Sequence, residues 1–251
     1  MVVLKSSKEI MLMRAAGIIT ARALHAAGKA VESGVSTLEL DRIAYDVIKS
    51  EGAVPSCLGY EGYPNTACIS VNNKVIHGIP SAGEIIKEGD IVSIDLCAGI
   101  GGYHGDSAYT FACGDVSKEA RALLEATQKA LYEGIRVAVQ GNRLGDIGYA
   151  VQRYVESRGY SVVRDFTGHG IGTSIHEDPS VPNYGHPGRG ARLQNGMVIC
   201  IEPMINAGSH EVRVLKDGWT VVTADGALSA HFEHTVAITE NGPVILTEPE
   251  Q

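Results

Sequence analysis

The sequence repeats itself, and that limits the folds open to it more than any other feature. Advancing by 107 positions superposes Gly34 on Gly141, Ser50 on Ser157, Gly52 on Gly159, Gly89 on Gly196, Ile94 on Ile201 and Asp95 on Glu202. The tetrapeptide ARAL stands at 21–24 and again at 120–123. Two further matches need gaps: His77-Gly78-Ile79 returns as His169-Gly170-Ile171, and His104-Gly105-Asp106 returns loosely as His231-Phe232-Glu233. From HGI to the first acid is 18 residues in the first copy and 33 in the second; between the acids the intervals are 11 and 31. The added stretches include the Pro/Gly-rich PSVPNYGHPGRG and the hairpin-like EVRVLKDGWTVVT. Both read as loop insertions, where extra length costs little closure entropy. The repeat predicts an α/β (α+β) chain of two related halves, about 1–113 and 114–251, in a single domain of residues 1–251. Each half combines a helix pair with antiparallel strands, and the interface between them is the natural binding site.

Local signals fill in the elements. Ser6 and Glu9 form a capping box opening a helix with Ile10, Met13 and Gly17 on one face. That helix breaks near Ser33-Gly34, restarts through Leu38, Asp41, Tyr45 and Ile48, and stops at Gly52. Residues 118–159 repeat the pattern with a break at Gly141-Asn142. The mixed stretch 59–79 reads as loops and short strands that present side chains to a cleft.

Residues 89–111, GDIVSIDLCAGIGGYHGDSAYTF, read as a hairpin turning at Gly101-Gly102. An even-length loop pairs positions whose numbers sum to an odd value, and 95 plus 106 is 201, so Asp95 and Asp106 leave the same face. Two carboxylates side by side in an apolar setting need an Arg, a shared proton or a metal ion between them. Glu202 and Glu233, at corresponding places in the second half, raise the count to four.

Composition narrows the function. A formal charge of -8 and a pI near 5.6 exclude a nucleic-acid binder that works through a broad basic field. The five cysteines are an odd set without CxxC spacing, which fits a reducing compartment and no zinc–thiolate site; Cys97 and Cys200 lie in core-like runs. The N-terminus lacks a signal-peptide core and no stretch approaches eighteen consecutive apolar residues, so the chain is expected in the cytoplasm with no membrane partner.

Asp95, Asp106, Glu202 and Glu233, with an imidazole from His169 in TGHGIG, are hard oxygen donors with one nitrogen. That set suits Mn, Fe or Co, tolerates Zn, and is best balanced by two divalent ions. Paired ions generate a hydroxide nucleophile and clamp a tetrahedral intermediate, which points to hydrolysis.

At this point the chain resembles the type I methionine aminopeptidases, which have the pita-bread fold. The resemblance runs from the first helix to about Leu246, through HGIP at 77–80, GDIVSID at 89–95, HGD at 104–106, GHGIG at 168–172, IEPM at 201–204 and FEHT at 232–235. It implies a catalytic domain that removes the initiator methionine from nascent chains when the next residue is small. Asp95 would chelate one metal, Asp106 and Glu233 would bridge both, and His169 and Glu202 would bind the other. Glu202 would also be the general base. His77 would contact the scissile amide nitrogen and His176 would polarise the carbonyl. Cys57, Tyr60, Tyr63, Cys68 and Trp219 would line the methionine pocket, with Ile175 and Glu61 where relatives differ. A monovalent-cation site at Asn72 and Ser229 rests on the resemblance alone. The expected partners are nascent polypeptide N-termini, met by a monomer in transient encounter with the ribosome.

The remaining histidines read more plainly. His25, His186 and His210 are solvated, His104 and His231 flank the second acids as outer partners, and strand alternation turns His234 to the opposite face from Glu233. The rival readings are a proline-specific aminopeptidase or dipeptidase on the same fold and a non-catalytic binding relative. The first usually carries a separate N-terminal domain, whereas the first helix here begins near residue 6; the second should have lost ligands, and all five are present.

Overall fold

Both helix pairs form where the sequence places them. In the computed structural model, which describes residues 1–248, α1 (Ser7–Lys29) opens on the Ser6–Glu9 capping box, with the Ser6 N–H donating to Glu9 Oε2 at 2.7 Å. Ser36 caps α2 (Thr37–Ser50), and Gly52 lies just beyond its C-cap at φ 71°. In the second half α3 (Lys118–Val137) and α4 (Leu144–Glu156) repeat the pair, with Gly159 at φ 83°. Those positive values are what the glycines permit and a side chain resists.

The first half continues through β1 (Val54–Pro55), β2 (Ala67–Val71), β3 (Lys74–Ile76), β4 (Ile91–Ile100) and β5 (Tyr103–Ala112). The second continues through β6 (Ser161–Val162), β7 (Gly168–Gly170), β8 (Glu177–Val181), β9 (Val198–Ile201) and β10 (Met204–Asn206). It ends with β11 (Val212–Val214), β12 (Val221–Thr223), β13 (Ser229–His231), β14 (Glu233–Thr239) and β15 (Gly242–Ile245). One nine-stranded sheet runs β1-β4-β5-β14-β9-β7-β8, with β2 also on β4 and β15 also on β14. The halves join where β5 meets β14, so β4 and β9 stand as counterparts on either side of the seam.

The duplication holds at the level of single hydrogen bonds. Gly34 N–H donates to the Ile86 carbonyl at 2.9 Å and Gly141 N–H to that of Leu193 at 3.0 Å, each atom 107 positions from its counterpart. The return bonds, Ile86 to Val35 and Leu193 to Asn142, and the bridges Ser36–Ile85 and Arg143–Arg192 obey the same offset. Gly89 and Gly196 share φ 89°. The added stretch forms the expected hairpin β11–β12, and β12 crosses to pair with β3 of the first half.

Helices cover the back of the sheet. α1 lies directly on β5: a Cβ built on Gly105 would sit 2.7 Å from the Gly17 nitrogen, and the Thr20 hydroxyl donates to the Gly105 carbonyl at 2.7 Å. α1 is apolar enough to pass as a membrane span, with mean hydropathy 1.2, but half of that stretch is buried within the fold. Met13, Leu24 and Ala27 are among the residues it buries; a large apolar side chain buried there contributes about 1.5–3 kcal/mol.

Candidate metal centre

Because α1 occupies the back of the hairpin, alternate residues of β4 and β5 face the other way, into a cleft. Gly101 and Gly102, both at positive φ, make the two-residue turn and set the register: Asp95 pairs with Ala108 and Asp106 with Cys97. The two acids are therefore diagonal neighbours on one face, as the parity of their numbers requires. Across the seam Glu233 also stands opposite Ala108, and Glu202 follows Ile201, which pairs with His234. Four neighbouring chain segments thus carry one acid each to the same place.

His169 reaches them because its neighbours are glycines. A Cβ on Gly168 would lie 2.3 Å from the Cys200 carbonyl oxygen, and one on Gly170 2.1 Å from that of Asp178. Only a bare backbone fits β7 between β8 and β9, leaving the intervening imidazole turned into the cleft. His169 Nε2 lies 3.5 Å from Glu202 Oε1 and 4.0 Å from Asp106 Oδ2, while Nδ1 contacts the Gly170 carbonyl at 2.9 Å.

The cluster sets four acids against one another. Burial pushes the Asp106 carboxyl up to about 7, and burial with mutual repulsion holds Asp95, Glu202 and Glu233 well above the usual carboxylate range. Asp106 Oδ1 and Glu233 Oε1 are buried with no hydrogen-bond partner. Among the described residues, none that lines the cleft is Lys or Arg. That removes one of the three candidate counter-charges. His169, lowered to about 4 chiefly by burial, is neutral and offers a lone pair. Hard oxygens with neutral imidazole are a donor set for divalent metals.

Two groupings of ligand atoms within 4.8 Å of one another emerge: Asp106, His169, Cys200 and Glu233, and Asp95, His231 and Glu233. Cys200 is a buried core thiol whose Sγ lies 3.6 Å from the Thr235 hydroxyl, with burial and then Glu233 pushing its pKa up. Sequence reasoning set His231 outside the inner group; the structure brings it to 3.8 Å from Asp95 Oδ2.

Beside the carboxylates opens a cavity of about 450 Å³, lined by Cys57, Tyr60, Tyr63, Cys68, His77, His176 and Trp219, all expected from the sequence. Phe166 lines it too and was missed, since a lone aromatic in a loop carries no local signal. The Tyr63 hydroxyl donates to the Gly78 carbonyl at 3.0 Å, and its ring meets Trp219 edge-on at 5.1 Å. His77 holds a left-handed backbone, φ 57°, with its ring edge-on to Phe166 and Trp219. A non-glycine residue in that region costs of order 1–3 kcal/mol and marks a functional constraint. His176 Nδ1 lies 2.8 Å from the Tyr60 hydroxyl, with burial lowering the imidazole pKa.

Asn72 and Ser229 do not line the cleft. Ser229 N–H donates to the Asn72 carbonyl at 2.9 Å, and their side chains bond Asp90 and Asn206. Of the other histidines, His104 contacts the Ser56 hydroxyl, and His234 faces away from the acids toward Thr247.

Residues 11–240 match the model of metallopeptidase family M24. The chain belongs to this family. A methionine aminopeptidase of Clostridium perfringens is 55% identical over 247 residues, covering 98% of this chain and 99% of the relative. The crystal structure of methionine aminopeptidase from Thermotoga maritima superposes with a TM-score of 0.97 at 42% identity, covering 99% of this chain and all of that one. Prolidase from Pyrococcus furiosus shares the fold, with a TM-score of 0.79 at 25% identity, but this chain spans only 66% of it. The M24 chain described here has the pita-bread fold and falls with the type I methionine aminopeptidases, which it matches end to end.

Proposed function

We propose that Asp95, Asp106, His169, Glu202 and Glu233 hold two divalent cations, and that the cleft above them removes the N-terminal methionine of nascent polypeptides. The observation that carries this reading is the convergence of four carboxylates, two with orphaned buried oxygens, in a cleft that no Lys or Arg lines among the described residues. Bound there, the cations supply Lewis-acid activation of water and substrate and an anchor for the free α-amino group.

The chain's own groups do the rest. Asp95 would hold a cation at one end of the cluster, His169 and Glu202 would hold one at the other, and Asp106 and Glu233 would serve both. Glu202, at the edge of the cleft beside His169, takes the proton of the attacking water. His176, neutral in its partly buried setting, donates an N–H to the substrate carbonyl oxygen as charge develops there. His77, held in place by its backbone and two aromatic neighbours, faces the leaving nitrogen. The methionine side chain enters the cavity between Tyr63, Cys57, Cys68 and Trp219, whose thiol and aromatic surfaces suit an unbranched thioether. Ile175 and Glu61, on the same lining, shape its far wall and rim.

Mn, Fe or Co suits this donor set, with Zn tolerated, and Asn72 with Ser229 would hold a monovalent ion. We place the enzyme in the cytoplasm as a monomer, one catalytic unit of residues 1–251, meeting its substrates near the ribosome. Release of methionine from a Met-Ala-Ser peptide should stop on chelation and return with added Mn(II). Release that persists unchanged in metal-free protein would refute the reading.

A further inference from the structure

His231 ends β13, opposite Met204, and is 1% exposed. Neither ring nitrogen has a hydrogen-bond partner; the Pro203 carbonyl lies against the ring without reaching full hydrogen-bond geometry. Leaving a buried polar group unmatched costs roughly 1–3 kcal/mol, so such a side chain needs a reason. A ring nitrogen with no partner is available as an electron-pair donor.

The surroundings supply the reason. His231 Nε2 is 3.8 Å from Asp95 Oδ2, and Asp95, His231 and Glu233 each offer an atom within 4.8 Å of the others. That distance is too long for a hydrogen bond that would merely orient the carboxylate. It matches the 3.5 and 4.0 Å between His169 and its acids Glu202 and Asp106. Separations of about 3–4 Å are those of neighbouring donors that share one ion through bonds near 2 Å. The repeat sharpens the comparison: Asp95 and Glu202 are equivalent by position, and each has one imidazole at this spacing.

We propose that His231 is itself a ligand, its Nε2 joining Asp95 and Glu233 around the cation at the Asp95 end. Each cation then has one imidazole, and the Asp95 end draws a donor from the second half. This rests on the two-cation reading above.

The test is diffraction from crystals of the full chain soaked in Mn(II). An anomalous peak at bonding distance from His231 Nε2, about 2.0–2.3 Å, is the expected result. A peak held by Asp95 and Glu233 but more than about 3 Å from His231 overturns the inference and leaves the two-cation reading standing. Absence of any peak among the acids overturns both. In solution, calorimetric titration of apoprotein with Mn(II) should show one of two equivalents weakened by at least about 10-fold in His231→Gln and His231→Asn, with the other within twofold. Variants that melt at the parental temperature and bind both equivalents within twofold of the parent would also overturn it.

Discussion

In the first half the two acids are eleven positions apart, so a single tight hairpin delivers both carboxylates in one register. In the second they are thirty-one positions apart, and Glu202 and Glu233 arrive after β9 and on β14 with β10 to β13 between them. Yet the paired glycines at 34 and 141, 52 and 159, and 89 and 196 keep matching backbone angles, and the bridges at 36–85 and 143–192 are the same contact made twice. The glycines that steer helix into strand are the same in both copies, while the residues they bridge have changed. Length between them was free, and the second half used it to build walls: β8 with its Pro/Gly loop, and the β11–β12 hairpin that carries Trp219 over the cavity.

If the second-half acid does the proton transfer, equivalent positions should fail differently. Glu202→Gln should lower kcat by roughly 10²–10⁴-fold while a non-hydrolysable Met-Ala analogue still binds. Asp95→Asn should instead show up as weakened metal affinity by calorimetry. Near-normal turnover in metal-loaded Glu202→Gln would end the distinction. His176→Ala should cost about 10²–10³-fold, seen in kcat. An effect confined to KM would reassign it to holding the substrate. The added hairpin is expected to govern selectivity and not metal binding. Trp219→Ala should therefore keep two metal equivalents while the preference for methionine over leucine peptides, read as a ratio of kcat/KM, falls by about 10–200-fold. The smallest effect is on the scaffold: Gly105→Ala forces a methyl group onto the α1 backbone and should destabilise by about 1–3 kcal/mol, visible as a lower Tm. An unchanged Tm would show that α1 can lift from β5.

Much of the site was legible because local rules specify it. The Gly-Gly turn and the parity of 95 and 106 determine which face the acids share, and the Ser6 capping box marks where α1 begins. The repeat then projects one half onto the other. What the residue pattern alone does not reach depends on pairings between distant strands: β12 lies on β3 through Val221 and Ile76, which brings Trp219 to Tyr63 and His77, a grouping that only the family resemblance supplied. Phe166 and the nearness of His231 to Asp95 likewise come from packing between elements, to which no periodicity in the chain points.

The junction of β5 with β14 has only two residue pairs in register, but hydroxyl groups stitch it on both sides. Thr235 Oγ1 donates to the Asp106 carbonyl and accepts from the Asp106 N–H, Ser107 donates to the Glu233 carbonyl, and Thr110 exchanges two bonds with His231. At about 0.5–1.5 kcal/mol apiece these bonds fasten Asp106, His231 and Glu233 themselves. Prising the halves apart at this seam would break those bonds and separate the acids, so room for a chain end has to come from the loops and the β11–β12 hairpin around the cleft.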